Sequence, residues 1–153
     1  MRILIADKLP DSSIKALQES GHTVVVEICS NDALQEALTT HSTEALVVRS
    51  TKVTRGMLES APSLELIVRA GAGYDSIDVE AASERGIFVA NCPGKNSSAV
   101  AELTIGLMVA LDRRIADNVS DARAGHWEKS KYAKAQGLKG RVLGIVGMGQ
   151  IGR

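Results

Sequence analysis

Aromatic residues are nearly missing from this 153-residue chain: one Trp, two Tyr and one Phe make up 3% of it. So few ring faces weigh against stacking on single-stranded nucleic acid. Neither sign of charge is in excess, since 18 basic and 18 acidic residues balance to zero. That balance suggests neither a polyanion nor an anionic membrane as partner, so any electrostatic role has to be local. Cysteine is scarce as well. Cys29 and Cys92 have no C-x-x-C spacing or ligand cluster around them and read as reduced thiols of a cytosolic protein, with no metal site predicted. Long hydrophobic runs are also missing. Residues 1–6 meet Asp7 too early for a signal-peptide core, and residues 99–111, the longest apolar stretch, include Glu102 and are too short to cross a bilayer. These absences predict a soluble cytoplasmic protein that binds neither nucleic acid nor membrane. No nucleophile elbow or Walker pattern is present either.

What the chain does have is rhythm. Five short apolar runs, at residues 3–5, 24–26, 46–48, 66–68 and 87–89, recur about every 20 residues, and segments of helical spacing lie between them. This is the alternation of parallel βα units. The runs are continuous instead of alternating, which predicts strands covered on both faces. The fold class is therefore α/β, a flavodoxin-like doubly wound parallel sheet over residues 1–96. The helices are expected near residues 10–20, with Ile14 and Leu17 inward, and 31–41, with Ala33, Leu34, Ala37 and Leu38 inward. Asn31, Thr54 and Asp78 are expected to cap helices. From residue 97 the character changes. Residues 99–111 are apolar nearly all round, which predicts a helix buried on several sides or lying in an interface. A polar amphipathic stretch with Ile115 and Val119 follows, then a loop around Trp127, then a sixth apolar run at residues 142–146.

In an open parallel sheet, ligands gather beyond the carboxyl ends of the strands. The third strand exits into Arg49-Ser50-Thr51-Lys52, the fourth into Arg69-Ala70-Gly71-Ala72-Gly73, and the fifth into Asn91-Cys92-Pro93-Gly94-Lys95-Asn96. Guanidinium groups bind carboxylate or phosphate bidentately, so this edge suits a small anion. Two plainer readings stand beside that one: the arginines solvate strand ends or pair with surface acids, and Gly71 and Gly73 are simple turn formers. The sixth run leads into Gly147-Met148-Gly149-Gln150-Ile151-Gly152, a G-x-G-x-x-G turn in the strand context of a dinucleotide-binding site. Among the histidines, His22, His41 and His126, none is placed by the sequence at a strand end beside a carboxylate, where an oriented general base would stand.

The blocks Val48-Arg49-Ser50-Thr51-Lys52-Val53-Thr54, Arg69-Ala70-Gly71-Ala72-Gly73-Tyr74-Asp75-Ser76-Ile77-Asp78, Asn91-Cys92-Pro93 with Asn96, Val100-Ala101-Glu102-Leu103, and the final glycine turn resemble the D-2-hydroxyacid dehydrogenase family in order and spacing. The resemblance implies a substrate-binding domain over residues 1–96. Over residues 97–153 it implies the first helix and strand of an NAD-binding Rossmann domain, truncated after the glycine turn. It implies a small anionic 2-hydroxyacid as substrate, NAD as cofactor, and a homodimer or larger assembly through the helix around residues 99–111. Arg49, Ser50, Arg69 and Gly71 would line the substrate pocket. Ala72 would approach the cofactor, Asn96 would lie on the nicotinamide side, and Gly147, Gly149, Gln150, Ile151 and Gly152 would cradle the pyrophosphate. Lys129 and Lys131 would add positive charge near a substrate phosphate. The family's proton-accepting histidine, its orienting glutamate and its polarising arginine fall in later segments. No catalytic residue is therefore assigned among the 153, and the chain alone is expected to be inactive. Within the family, the block at residues 48–54 favours oxidation of 3-phosphoglycerate to 3-phosphohydroxypyruvate, a step of serine biosynthesis. The alternatives are another 2-hydroxyacid such as glycerate or hydroxypyruvate, or a non-catalytic dimerisation or binding fragment.

Overall fold

Each of the first five apolar runs folds as a short strand. β1 (Arg2–Ile5), β2 (Thr23–Val26), β3 (Ala45–Val48), β4 (Leu66–Arg69) and β5 (Phe88–Ala90) pair in parallel in the order β2-β1-β3-β4-β5. This is the flavodoxin-like order. Helices α1 (Asp11–Glu19), α2 (Asp32–Thr40), α3 (Arg55–Glu59) and α4 (Val79–Glu84) are the crossovers that parallel pairing requires. The computed structural model describes residues 1–153, which divide into two units, Met1–Lys95 and Asn96–Arg153.

Alternation along the strands sorts the first unit's core into two layers. Leu4, Leu46 and Ile67 point to one face and meet Leu34 and Leu38 of α2, Met57 and Leu58 of α3, and Ala81 and Ala82 of α4. Ile3, Ile5, Ala45 and Val47 point to the other, where Ile14 and Leu17 of α1 pack. The expected cover on both faces holds for β1 and β3 and fails toward β5. Leu66 and Val68 are half-buried, and Phe88, the register partner of Leu66, is 76% exposed. The reason is geometric: one helix, about 10 Å across, shields roughly two strands spaced about 4.8 Å apart, and α1 is the only helix of this unit packed on that face.

Of the expected caps, only Asp78 acts as one, its Oδ1 accepting the Ala81 N–H at 2.9 Å. Asn31 and Thr54 precede α2 and α3 without a side-chain cap bond, and Ala33 is exposed. The second unit contains α5 (Ser97–Asp112), α6 (Ile115–Arg123) and α7 (Lys129–Tyr132), the last where only a loop was expected. Arg114, in the left-handed region with φ 51°, separates α5 from α6. α6 ends in paired bonds, Gly125 N–H to Ala122 O at 3.1 Å and His126 N–H to Asp121 O at 2.9 Å, the Schellman pattern. No residue of α5 is buried within the chain, so of the two expectations for this helix burial inside the chain is not met, and Leu111 is 78% exposed. The sixth strand does not form. Residues 142–146 are irregular and exposed, because an isolated strand has no neighbour to satisfy its backbone N–H and C=O groups. No helix is long and apolar enough to cross a membrane.

Candidate functional site

Because all five strands are parallel, their carboxyl ends share one edge, and β1, β3, β4 and β5 bring Asp7, Arg49, Arg69 and Asn91 to it. Val48 of β3 and Arg69 of β4 are register partners, so Arg49 and Arg69 leave the sheet from neighbouring positions. The loop after β3 is tied down by Asp7. Its Oδ2 accepts the N–H groups of Arg49, Ser50 and Thr51 at 2.7, 3.1 and 3.0 Å, and its Oδ1 accepts the Ser50 hydroxyl at 3.3 Å. Partial burial pushes the Asp7 carboxyl up, but the backbone N–H groups of Arg49, Thr51 and Ser50 outweigh it and bring its pKa down to about 2. Asp7, which ends the first apolar run, is not among the site residues expected from the sequence. The signal was available, since the strand-end rule applied to β3, β4 and β5 applies equally to β1.

The loop after β4 is held from β5. Asn91 Nδ2 donates to the Ala72 carbonyl at 2.7 Å, and Cys92 N–H donates to the Gly71 carbonyl at 2.9 Å. Gly71 N–H turns back on the Arg69 carbonyl at 2.8 Å. Neither Gly71 nor Gly73 has a positive φ, so a left-handed turn is not why glycine stands there. A methyl carbon on Gly71 would fall on Nη1 of Arg69 and stand 2.5 Å from its Cζ. The absent side chain makes room for the folded-back guanidinium. Arg69 Nε is buried with no hydrogen-bond partner, a state that costs about 1–3 kcal/mol and favours any acceptor that reaches it. Arg49 and Arg69 form no ion pair, as is also true of Arg85, Arg113, Arg123 and Arg153, whereas Arg2, Arg55, Arg114 and Arg141 each have a carboxylate. Pairing with surface acids therefore does not explain the two strand-end arginines.

Arg49, Ser50, Arg69, Gly71 and Ala72 thus meet on one edge within the first unit. Asn96 belongs to the second, preceding α5, where its carbonyl accepts the Val100 N–H at 3.0 Å and its side chain makes no cap bond. The glycine turn is formed locally even though the strand before it is not. Gly147 has φ +97°, a conformation that favours glycine, and a methyl on Gly152 would overlap the Gly147 carbonyl oxygen. Lys131, expected to serve a phosphate, is bound to Asp121 at 2.6 Å. His41 ends helix α2 and is not at a strand end, as expected. His41 does lie beside a carboxylate, its Nε2 2.8 Å from Glu27 Oε2, because the turn after β2 and the end of α2 come together in space. Glu27 follows the outer strand β2, with β1 between it and β3, so this pair lies two strands from Arg49 along the same edge.

Residues 3–142 match the family model described as D-isomer specific 2-hydroxyacid dehydrogenase, catalytic domain. The chain is 43% identical to the D-3-phosphoglycerate dehydrogenase of Methanocaldococcus jannaschii over 100% of its own length and 29% of that protein's. It therefore spans less than a third of that curated relative. Among solved structures, a glyoxylate reductase from Paecilomyes thermophila superposes with a TM-score of 0.86 at 27% identity, covering 99% of this chain and 50% of that one. The NAD+-bound 3-phosphoglycerate dehydrogenase of Entamoeba histolytica superposes with a TM-score of 0.63 at 34% identity, covering 72% and 38%.

Proposed function

Because this chain belongs to the D-isomer specific 2-hydroxyacid dehydrogenase family, we propose that it supplies the substrate-binding part of an NAD-dependent D-3-phosphoglycerate dehydrogenase. Residues 1–96 act as the substrate domain and residues 97–153 open the cofactor domain. The observation that carries this reading is the pair of strand-end guanidinium groups, Arg49 and Arg69, both without a carboxylate and one with an unpartnered buried Nε. The substrate has two anionic ends, a carboxylate and a phosphate, and arginine forks suit both. Gly71 leaves the space in which Arg69 folds, and Asn91 holds the Ala72 carbonyl so that the loop keeps its shape.

The compact turn with Gly147 at positive φ and Gly152 against the Gly147 carbonyl fits a pyrophosphate cradle, and Gly147, Gly149, Gln150, Ile151 and Gly152 would hold that group. When bound, NAD supplies the acceptor for the hydride leaving the hydroxyl-bearing carbon. Proton abstraction is assigned to none of His22, His41 and His126, and the 153-residue chain alone is expected to show no turnover.

An NMR titration of the chain tests the substrate reading. 3-Phosphoglycerate should bind in the millimolar range and more tightly than glycerate, perturbing the loops after β3 and β4. Arg49→Gln and Arg69→Gln should each weaken it about tenfold, the worth of one charge-assisted pair. Equal affinity for glycerate points to a different 2-hydroxyacid, and indifference to both substitutions overturns the site. A second reading, assembly of two chains through α5, is favoured by the uncovered Leu103, Ile105, Leu107 and Leu111 on that helix.

A further inference from the structure

We infer that Asp7 is a positioning residue for the substrate edge: it occupies the backbone amides after β3 as an internal anion and so presents Arg49, not the amides or Ser50, to the substrate. Successive N–H groups converging on one point make an anion-binding concavity. Here the N–H groups of Arg49, Ser50 and Thr51 converge on Asp7 Oδ2 within 3.1 Å, so that concavity is already filled from within the protein. The Ser50 hydroxyl is turned the same way, to Asp7 Oδ1 at 3.3 Å, which engages both of that residue's donors. What the loop has left for an incoming anion is its two cationic side chains, Arg49 and the exposed Lys52, neither of which makes a hydrogen bond or ion pair of its own, and Arg49 is the one whose amide Asp7 holds.

The arrangement has a physical rationale. The loop after β3 is exposed at Arg49 and Ser50. Without a tie it would sample many conformations, and an arginine on a mobile loop pays for its ordering each time a ligand binds. A carboxylate at the end of the adjacent strand β1 fixes three consecutive residues from one point. The same carboxylate repels any anion approaching the amides directly, so the substrate's charge is steered to the guanidinium groups. Asp7 acts through Arg49 and touches no substrate, and Ser50 is a tie of the loop, not a ligand.

The inference rests on the substrate reading given above, and one experiment separates the two. The chain and its Asp7→Asn and Ser50→Ala variants are followed by amide hydrogen exchange, by their two-dimensional NMR spectra and by titration with 3-phosphoglycerate. In the unsubstituted chain, the amides of Arg49, Ser50 and Thr51 should exchange slowly despite lying in an exposed loop. Asp7→Asn should speed all three, shift their resonances and weaken 3-phosphoglycerate about tenfold or more, the factor that losing one charge-assisted pair with Arg49 amounts to. Ser50→Ala should leave affinity within about twofold. Asp7→Glu keeps the charge but lengthens the arm by one methylene, and it should lose affinity to an intermediate degree. It also serves if Asp7→Asn does not fold. Failure of the unsubstituted chain to bind overturns the substrate reading and this inference with it. Binding that survives Asp7→Asn and Asp7→Glu unchanged, or that Ser50→Ala abolishes, overturns this inference alone. Coil-rate exchange at the three amides does the same.

Discussion

Replacing Gly71 by alanine separates two reasons for a glycine at the end of β4. The new methyl carbon would coincide with Nη1 of Arg69 and lie 2.5 Å from its Cζ. Non-bonded carbons settle at about 3.5–4.0 Å, so the guanidinium has to retreat by at least ~1 Å. The clash is with the far end of a flexible side chain, so the backbone need not move. Since Gly71 is not at positive φ, alanine restricts the unfolded chain and should stabilise the fold by about 0.4–1 kcal/mol. The guanidinium, however, leaves the place from which it addresses an anion. Losing a hydrogen bond to a charged group costs about 1.5–3 kcal/mol, so the affinity for 3-phosphoglycerate should fall about tenfold to a hundredfold. Urea unfolding and an NMR titration on the same sample read the two effects independently. Opposite signs are expected: stability unchanged or raised, affinity lowered. A variant that loses more than ~1 kcal/mol of stability while binding normally would mean that Gly71 serves the loop backbone, and the argument from Arg69 would be wrong.

Three further outcomes follow from the same geometry. Asp7 has its pKa lowered from 3.8 to about 2 in the folded chain, so its clamp contributes stability that is fully present above about pH 4 and is lost as pH falls toward 2. Urea midpoints measured from pH 5 to pH 2.5 should fall less steeply for Asp7→Asn than for the unsubstituted chain, and parallel curves would refute the clamp. Leu46, fully buried on the central strand β3, should cost about 2–5 kcal/mol when cut to alanine, whereas Phe88→Ala, on the bare face of β5, should stay within ~0.5 kcal/mol; a large loss from Phe88→Ala would show that something covers that face. Leu103 and Leu107, one helical turn apart on α5 and both more than half exposed, should hold chains together. Their double replacement by lysine should lower the sedimentation-derived mass to that of a monomer, and an already monomeric unsubstituted chain would remove the assembly reading.

Most of the first unit was legible in advance. Strands of three or four residues set in continuous apolar runs are local statements, and their regular spacing leaves parallel crossover as the economical way to connect them. Arg49 and Arg69 were also legible, because the chemistry at strand ends follows from topology once the strands are known. Where local signals met competition, the expectations failed. Asn31 and Thr54 have the right side chains for capping, yet at those helix starts neither side chain accepts the bond. Residues 142–146 have every mark of a strand and form none, since pairing depends on a neighbour and not on the segment's own composition.

The chain's composition and periodicity thus settled the fold class, the order of elements in the first unit and the edge at which cationic residues gather. Only the folded arrangement decided how that edge works. Asp7 reaches amides 42 to 44 residues away, His41 finds Glu27 from the other end of α2, and Arg69 folds over Gly71 because no side chain is in the way. Local propensity is written in neighbouring residues and can be read one window at a time. Contacts between distant strand ends depend on register, strand order and side-chain direction together, and these become definite only when the sheet closes.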